Sequence, residues 1–241
     1  MFDNVEEEME ASVASLRIAA ARGRPVATAD TRLVDVPGAL GGLFPDGGIR
    51  RGSTVALGPA SGGLSVALTL VGAVTGRDGW AAAVGLPHLG LVAAAELGVR
   101  LERLALVPSP GEQWPVVVAA LVDGFDLLLL HPPVRVRATD ARRLSARVRE
   151  RGTVMVVLGA AWPEPPDLRL AVSRSDWDGL GAGNGYLRSR RAEVVLTGRR
   201  AAGRERSCSI WLPGAEGEVT LDNRVPPTQV EDPAPAIEVA G

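Results

Sequence analysis

Gly58-Pro59-Ala60-Ser61-Gly62-Gly63-Leu64-Ser65 is the stretch whose reading decides the fold. A short apolar run at 54–57 precedes it, and Val66, Ala67, Leu68, Leu70 and Val71 follow at helical density. Strand, glycine-rich turn and helix in that order form the context of a P-loop, and Gly58 and Gly63 have the spacing that pattern requires. The pattern next demands a lysine for the β and γ phosphates, then Ser or Thr for Mg²⁺. Ser65 is present, but Leu64 holds the lysine position. All 26 basic residues of the chain are arginine, so no lysine elsewhere can substitute. A leucine cannot place charge on a transferring phosphoryl group, where catalysis is positioning plus electrostatics. The expectation is a P-loop in shape and not in chemistry.

Outward from this turn, residues 36–223 alternate between strand and helix. Strand-like runs fall at 54–57, 80–84, 104–107, 126–130 and 154–158, with helices at about 63–75, 89–97, 112–123 and 140–151. Pro115 suits a first helical turn, Thr139 offers a cap for the fourth helix, and Gly152 a C-terminal stop. Continuous apolar runs such as Leu127-Leu128-Leu129-Leu130 predict a parallel sheet covered on both faces. After residue 160 the pattern changes. Leu168, Leu170 and Val172 alternate as a half-buried strand does, 175–186 reads as a long loop, and Ala192, Val194 and Leu196 pair with Cys208, Ile210 and Leu212 as an antiparallel hairpin. The fold class expected is α/β, a mainly parallel sheet flanked by helices with a C-terminal antiparallel hairpin.

Two flanks complete the organisation. Residues 1–35 read as an amphipathic helix and linker, with Val5, Met9, Val13 and Leu16 at helical spacing as a candidate interface. Residues 224–241, with Pro226, Pro227, Pro233 and Pro235 among scattered acids, read as a disordered tail. The acidic start lacks the pattern of a signal peptide, and no apolar run approaches about 18 residues. Cys208, the single cysteine, excludes an internal disulfide and reads as a small buried hydrophobe. With two histidines beside it, a structural zinc site is not expected. These features point to a cytoplasmic protein without membrane attachment.

The net charge of −2 carries no global signal for nucleic acid, but arginines cluster. Seven lie in 135–151 and seven in 188–206, among the latter Arg188, Arg190, Arg191, Arg199 and Arg200 around the hairpin. These five are candidate DNA or partner contacts, because Arg binds phosphate in a bidentate manner. The competing reading is a solvated face.

Over residues 36–212 the order of parts resembles the core of RecA, the recombination ATPase. The parts are Pro37-Gly38-Ala39-Leu40, Gly48-Ile49-Arg50-Arg51-Gly52, Gly58-Pro59, Pro110-Gly111-Glu112-Gln113 and Gly183-Asn184-Gly185-Tyr186-Leu187. The departures decide the function that the resemblance implies. Leu64 replaces the Walker A lysine, His131 the Walker B aspartate, Pro87 (beside His88) the catalytic glutamate and Gly159 the γ-phosphate-sensing glutamine. Loss of phosphate cation, metal ligand, base and sensor together implies a pseudo-ATPase. No catalytic residue, metal or cofactor is expected, although the backbone amides of the turn could hold a nucleotide weakly.

The pattern Trp177-Asp178-Gly179-Leu180-Gly181 with Asn184-Gly185, and an Arg-rich strand ending Trp211-Leu212-Pro213, resembles the ImuA group, including its actinobacterial ImuA′ type. That resemblance implies a non-catalytic accessory protein of damage-induced mutagenic translesion synthesis. Its implied partners are an ImuB-type Y-family polymerase homologue, RecA and an error-prone replicative-type DNA polymerase. The alternative is a DNA-binding module or recombinase-filament regulator that uses the Arg-rich hairpin.

Overall fold

The computed structural model describes residues 32–36, 38–59, 62–133, 135–159, 162–180, 185–198 and 205–222. The expected helix bearing Val5, Met9, Val13 and Leu16, the arginines Arg199 and Arg200, and the tail from residue 224 lie outside the described residues.

The described residues open with β1 (Leu33–Asp35), α1 (Gly38–Gly41) and β2 (Gly48–Arg50), β1 and β2 pairing antiparallel. Reading 23–35 as linker missed β1, because three residues are too few to show alternation. There follow β3 (Thr54–Leu57), α2 (Gly63–Thr75), β4 (Ala81–Val84), α3 (Leu91–Glu96) and β5 (Leu104–Val107). Next come α4 (Trp114–Val122), β6 (Leu127–Leu130), α5 (Ala138–Arg151) and β7 (Val154–Leu158). The described residues end with β8 (Leu168–Leu180), β9 (Gly185–Gly198), β10 (Arg206–Trp211) and β11 (Thr220–Leu221).

Among the described residues, nine strands form one sheet in the order β11-β10-β9-β8-β3-β7-β6-β4-β5. The strands from β8 through β5 are parallel, and β9, β10 and β11 extend the sheet antiparallel. The sheet is therefore mainly parallel, with the expected antiparallel hairpin at its C-terminal side.

Strands β3, β4, β6 and β7 are buried along their whole length, which is why they read as unbroken apolar runs. Two cores result. On one face Val66, Leu70 and Val71 of α2 pack with Val55, Leu57, Val156 and the inward residues of β8, β9 and β10. On the other Trp114, Val118 and Leu121 of α4 and Leu144 and Val148 of α5 pack with Leu128, Leu130, Met155 and Val157. Each fully buried aliphatic side chain stabilises by about 1.5–3 kcal/mol.

Two local expectations are corrected and one holds. Helix α5 begins at Ala138, with Arg137 as its extended N-cap, so Thr139 lies inside the first turn instead of capping it. Gly152 does end that helix, left-handed at φ 72°, with its N–H donated to the Val148 carbonyl. The span 175–186 is not a loop throughout. Strand β8 runs on to Leu180 and β9 starts at Gly185, so the two make a ribbon that continues past the buried part of the sheet. Both faces of most of it are solvated, and a ribbon without a buried face has no apolar alternation to read.

Candidate functional site

Open α/β sheets bind ligands at the carboxyl ends of their strands. The residues that directly follow β3, β4, β6 and β7 are Gly58, Gly85, His131 and Gly159. They form one edge: Gly58 donates its N–H to the Leu170 carbonyl on β8 (3.1 Å), Gly159 to Leu57 (2.9 Å) and His131 to Val84 (2.9 Å). His131 and His88 are both exposed. No carboxylate stands directly after any of these four strands, and the described residues contain no cluster of three His, Cys, Asp or Glu side chains that could hold a metal.

The start of α2 is the part of this edge with a distinct electrostatic character. Gly62 is the N-cap, left-handed at φ 99°, and no side chain caps the helix. The first intrahelical bond is Val66 N–H to the Gly62 carbonyl (3.1 Å), so the amides of the first turn have no partner within the helix. Gly63 and Ser65 lie in that turn, and Leu64 is 38% exposed. An open helix start carries roughly half a positive charge.

Arg190 closes over this helix start. It is only 5% exposed, although sequence grouped it with the surface arginines of the hairpin. Its Nε donates to the Leu212 carbonyl (2.7 Å), its Nη2 has no partner, and its guanidinium lies 5.2 Å from the Trp177 ring centroid. A Cβ built on Gly62 would sit 3.2 Å from Nη1, so the guanidinium packs directly on the N-cap. Burial lowers the Arg190 pKa, and the arginine side chain nevertheless stays protonated in proteins.

The other hairpin arginines differ. Arg191 pairs with the buried Asp222 at 2.5 Å, whereas Arg188 is exposed on the ribbon. Around Arg188 the ribbon presents Tyr186 (82% exposed), Leu187 (52%) and Trp177 (41%). Gly179, at φ 107°, lets the strands close here, since a side chain there would collide with the Tyr186 carbonyl. Trp114 and Trp162 are buried edge to face, with centroids 6.5 Å apart.

The earlier arginine run lines a cleft of about 1190 Å³ between α4 and α5, whose lining includes Arg135, Arg137 and Arg143 together with Glu112, Asp140 and Glu150. Arg147 is committed to Asp123 through two hydrogen bonds (2.9 and 2.5 Å), which hold its pKa above the ordinary value. Cys208 is buried on β10, and desolvation, then the charge of Glu193, pushes its thiol up to about 12. No helix among the described residues is long and apolar enough to cross a membrane.

Comparison with known proteins places these features in a lineage. Over 140 residues the chain is 37% identical to the uncharacterized protein Rv3395c of Mycobacterium tuberculosis, an alignment spanning 58% of this chain and 68% of that protein. Residues 42–164, which hold the glycine turn, α2 and the strands through β7, match the MT3502 N-terminal domain family. This chain therefore belongs to the MT3502 N-terminal domain family.

Proposed function

We propose that this protein is a non-catalytic scaffold with a RecA-like core, an accessory of the ImuA/ImuA′ type in mutagenic translesion DNA synthesis. The observation that carries the reading is the sheet edge where Gly58, Gly85, His131 and Gly159 follow the four central strands. Hydrolysis of a nucleotide needs a metal ligand and a water-orienting group at such an edge. Glycine supplies neither, and His131 stands where the resemblance to RecA requires an aspartate.

Partner binding has a separate basis. The ribbon of β8 and β9 exposes Trp177, Tyr186 and Leu187 beside Arg188, the aromatic, aliphatic and arginine mixture that anchors protein interfaces. Through the resemblance, the partner is an ImuB-type polymerase homologue. The DNA-binding alternative draws on the arginine-lined cleft between α4 and α5 more than on the hairpin, where Arg190 and Arg191 are already engaged.

The test uses the purified full chain with a purified ImuB-type homologue. Expected are co-elution of the two proteins, loss of co-elution on the double change Tyr186→Ser and Leu187→Ser, and no ATP turnover above buffer. ATP turnover that Ser65→Ala abolishes would overturn the pseudo-ATPase. Failure to co-elute, together with retention on DNA that salt reverses, would replace the scaffold with the DNA-binding module.

A further inference from the structure

Helix α4 is apolar on every side. Its sequence from Trp114 to Val122 is one tryptophan, one proline and seven aliphatic residues, and a helix of that kind is ordinarily covered all round. The sheet and α5 bury Trp114, Val117, Val118 and Leu121. Val116 nevertheless stays 62% exposed among the described residues, and it lines the cleft beside α5 together with Pro115 and Ala119. Arg135, Arg137 and Arg143 line the same cleft and make no ion pair among the described residues.

The described residues begin at one end of this cleft. The carbonyl of Arg32 accepts from the Arg51 N–H (2.9 Å), and a Cβ built on the adjacent Gly52 would lie 3.1 Å from the Arg149 Cα in the last turn of α5. Arg147 and Glu150, near that turn, belong to the cleft lining. Residues 23–31 can span up to about 30 Å, and α5 is about 21 Å long, so residues 1–22 can reach any point of the cleft on their own chain.

We propose that residues 1–22 dock in this cleft of their own chain as an amphipathic helix and cover its arginines. Val5, Met9, Val13 and Leu16 supply an apolar stripe for Val116 and Ala119. The charges match in order along the cleft. Asp3, Glu6, Glu7, Glu8 and Glu10 lie far from the tether, and Arg17 and Arg22 lie near it. In the cleft Arg135, Arg137 and Arg143 stand toward the start of α5, far from Arg32, where they outnumber Glu112 and Asp140. Glu150 stands at the tethered end, where Arg147 is already taken by Asp123. From Glu8 to Arg17 is about 14 Å of helix and from Arg143 to Glu150 about 10 Å, so both ends can pair at once. Exposed ion pairs contribute little singly, so they fix orientation while the apolar stripe holds the segment. The short tether keeps the segment's local concentration high. This contact is independent of the scaffold reading, since co-elution with a partner through the ribbon neither requires nor excludes it.

The test is disulfide trapping in the full chain, read on a non-reducing gel under mild oxidation. The native Cys208 is buried and does not compete. Met9→Cys paired with Val116→Cys is expected to close an intramolecular disulfide about tenfold or more faster than Met9→Cys paired with Val92→Cys. Val92 is 74% exposed on α3, which packs on the opposite face of the sheet, so the second pair measures random encounter. Both target positions are exposed, so neither cysteine disturbs the core. Val13→Ser with Leu16→Ser, and separately Arg143→Glu, should slow the first pair several-fold. The serine changes leave the charge unaltered, so released arginines should raise the salt needed to elute the chain from heparin. Equal rates for the two cysteine pairs overturn the proposal. So do disulfide-linked dimers whose share rises with concentration, which would assign the cleft to the segment of a second copy. Heparin elution that the serine changes leave unmoved overturns the covering of the arginines.

Discussion

Trp177 and Arg190 stand opposite each other on β8 and β9, and the guanidinium carbon lies 5.2 Å from the indole centroid. The pair joins the exposed ribbon to the buried start of α2, so it carries an interaction energy separable from either residue alone. A double-mutant cycle with Trp177→Leu and Arg190→Met should give a coupling of about 0.5–2 kcal/mol in urea denaturation. A coupling near zero would mean that the ring merely lies nearby.

Asp126 organises the opposite end of the sheet. Its carboxylate accepts from Arg51 (2.9 Å) and from the Trp80 backbone N–H (3.0 Å) while nearly buried. Asp126→Ala leaves both donors without their acceptor and should cost about 3 kcal/mol. Asp126→Asn keeps an acceptor for Trp80 and should cost less, so the order of the two urea midpoints checks the assignment.

Cys208 makes stability depend on pH on the alkaline side. Its folded thiol titrates near 12, against an ordinary value of 9.0. Between those values the unfolded chain binds fewer protons than the folded one, so the unfolding free energy falls as pH rises through the window. Wild type should lose more stability across that range than Cys208→Ala does. Iodoacetamide should label the native thiol far more slowly than the denatured one.

Gly179 is the residue on which the ribbon depends. Gly179→Val would drive a side chain into the Tyr186 carbonyl and costs roughly 1–3 kcal/mol of local strain. Hydrogen exchange should accelerate at the amides of Trp177 and Arg188, while the amides of β6 and β7 keep their protection. Equal acceleration in β6 would mean that ribbon and core open together.

The parallel half of the fold was legible because its strands are buried on both faces. Runs such as Val154 to Leu158, set off by Gly152 and Gly159, mark their own ends, and α2, β3, β5 and β7 fall where sequence places them. Legibility failed where position depends on pairing. Thr139 has the chemistry of a cap, but Ala141 donates its N–H to Arg137, two residues earlier than a cap at Thr139 allows. The candidate site was half visible. Gly58, Gly62 and Gly63 announce a turn, and Leu64 announces its missing charge. Arg190 is remote in sequence from all of them, inside an arginine-rich stretch where composition argues for a surface, and only the pairing of β8 with β9 turns it inward.

That pairing contains two irregularities, at Val172/Arg174 and at Asp178/Leu180, and the first sets what faces Arg190. Opposite β9 the register passes from Val172–Val194 to Arg174–Glu193, which leaves Ser173 as an extra residue. Side chains alternate along a strand, so a single insertion reverses the phase of everything after it. Upstream the inward positions are Leu168, Leu170 and Val172; downstream they become Ser175 and Trp177. Had the alternation run on unbroken, Asp176 would face Arg190, and an internal ion pair would have neutralised the guanidinium. By shifting the frame one step, Ser173 gives Arg190 an aromatic neighbour in place of an acidic one, so the guanidinium is sheltered by a ring face and not paired across the ribbon.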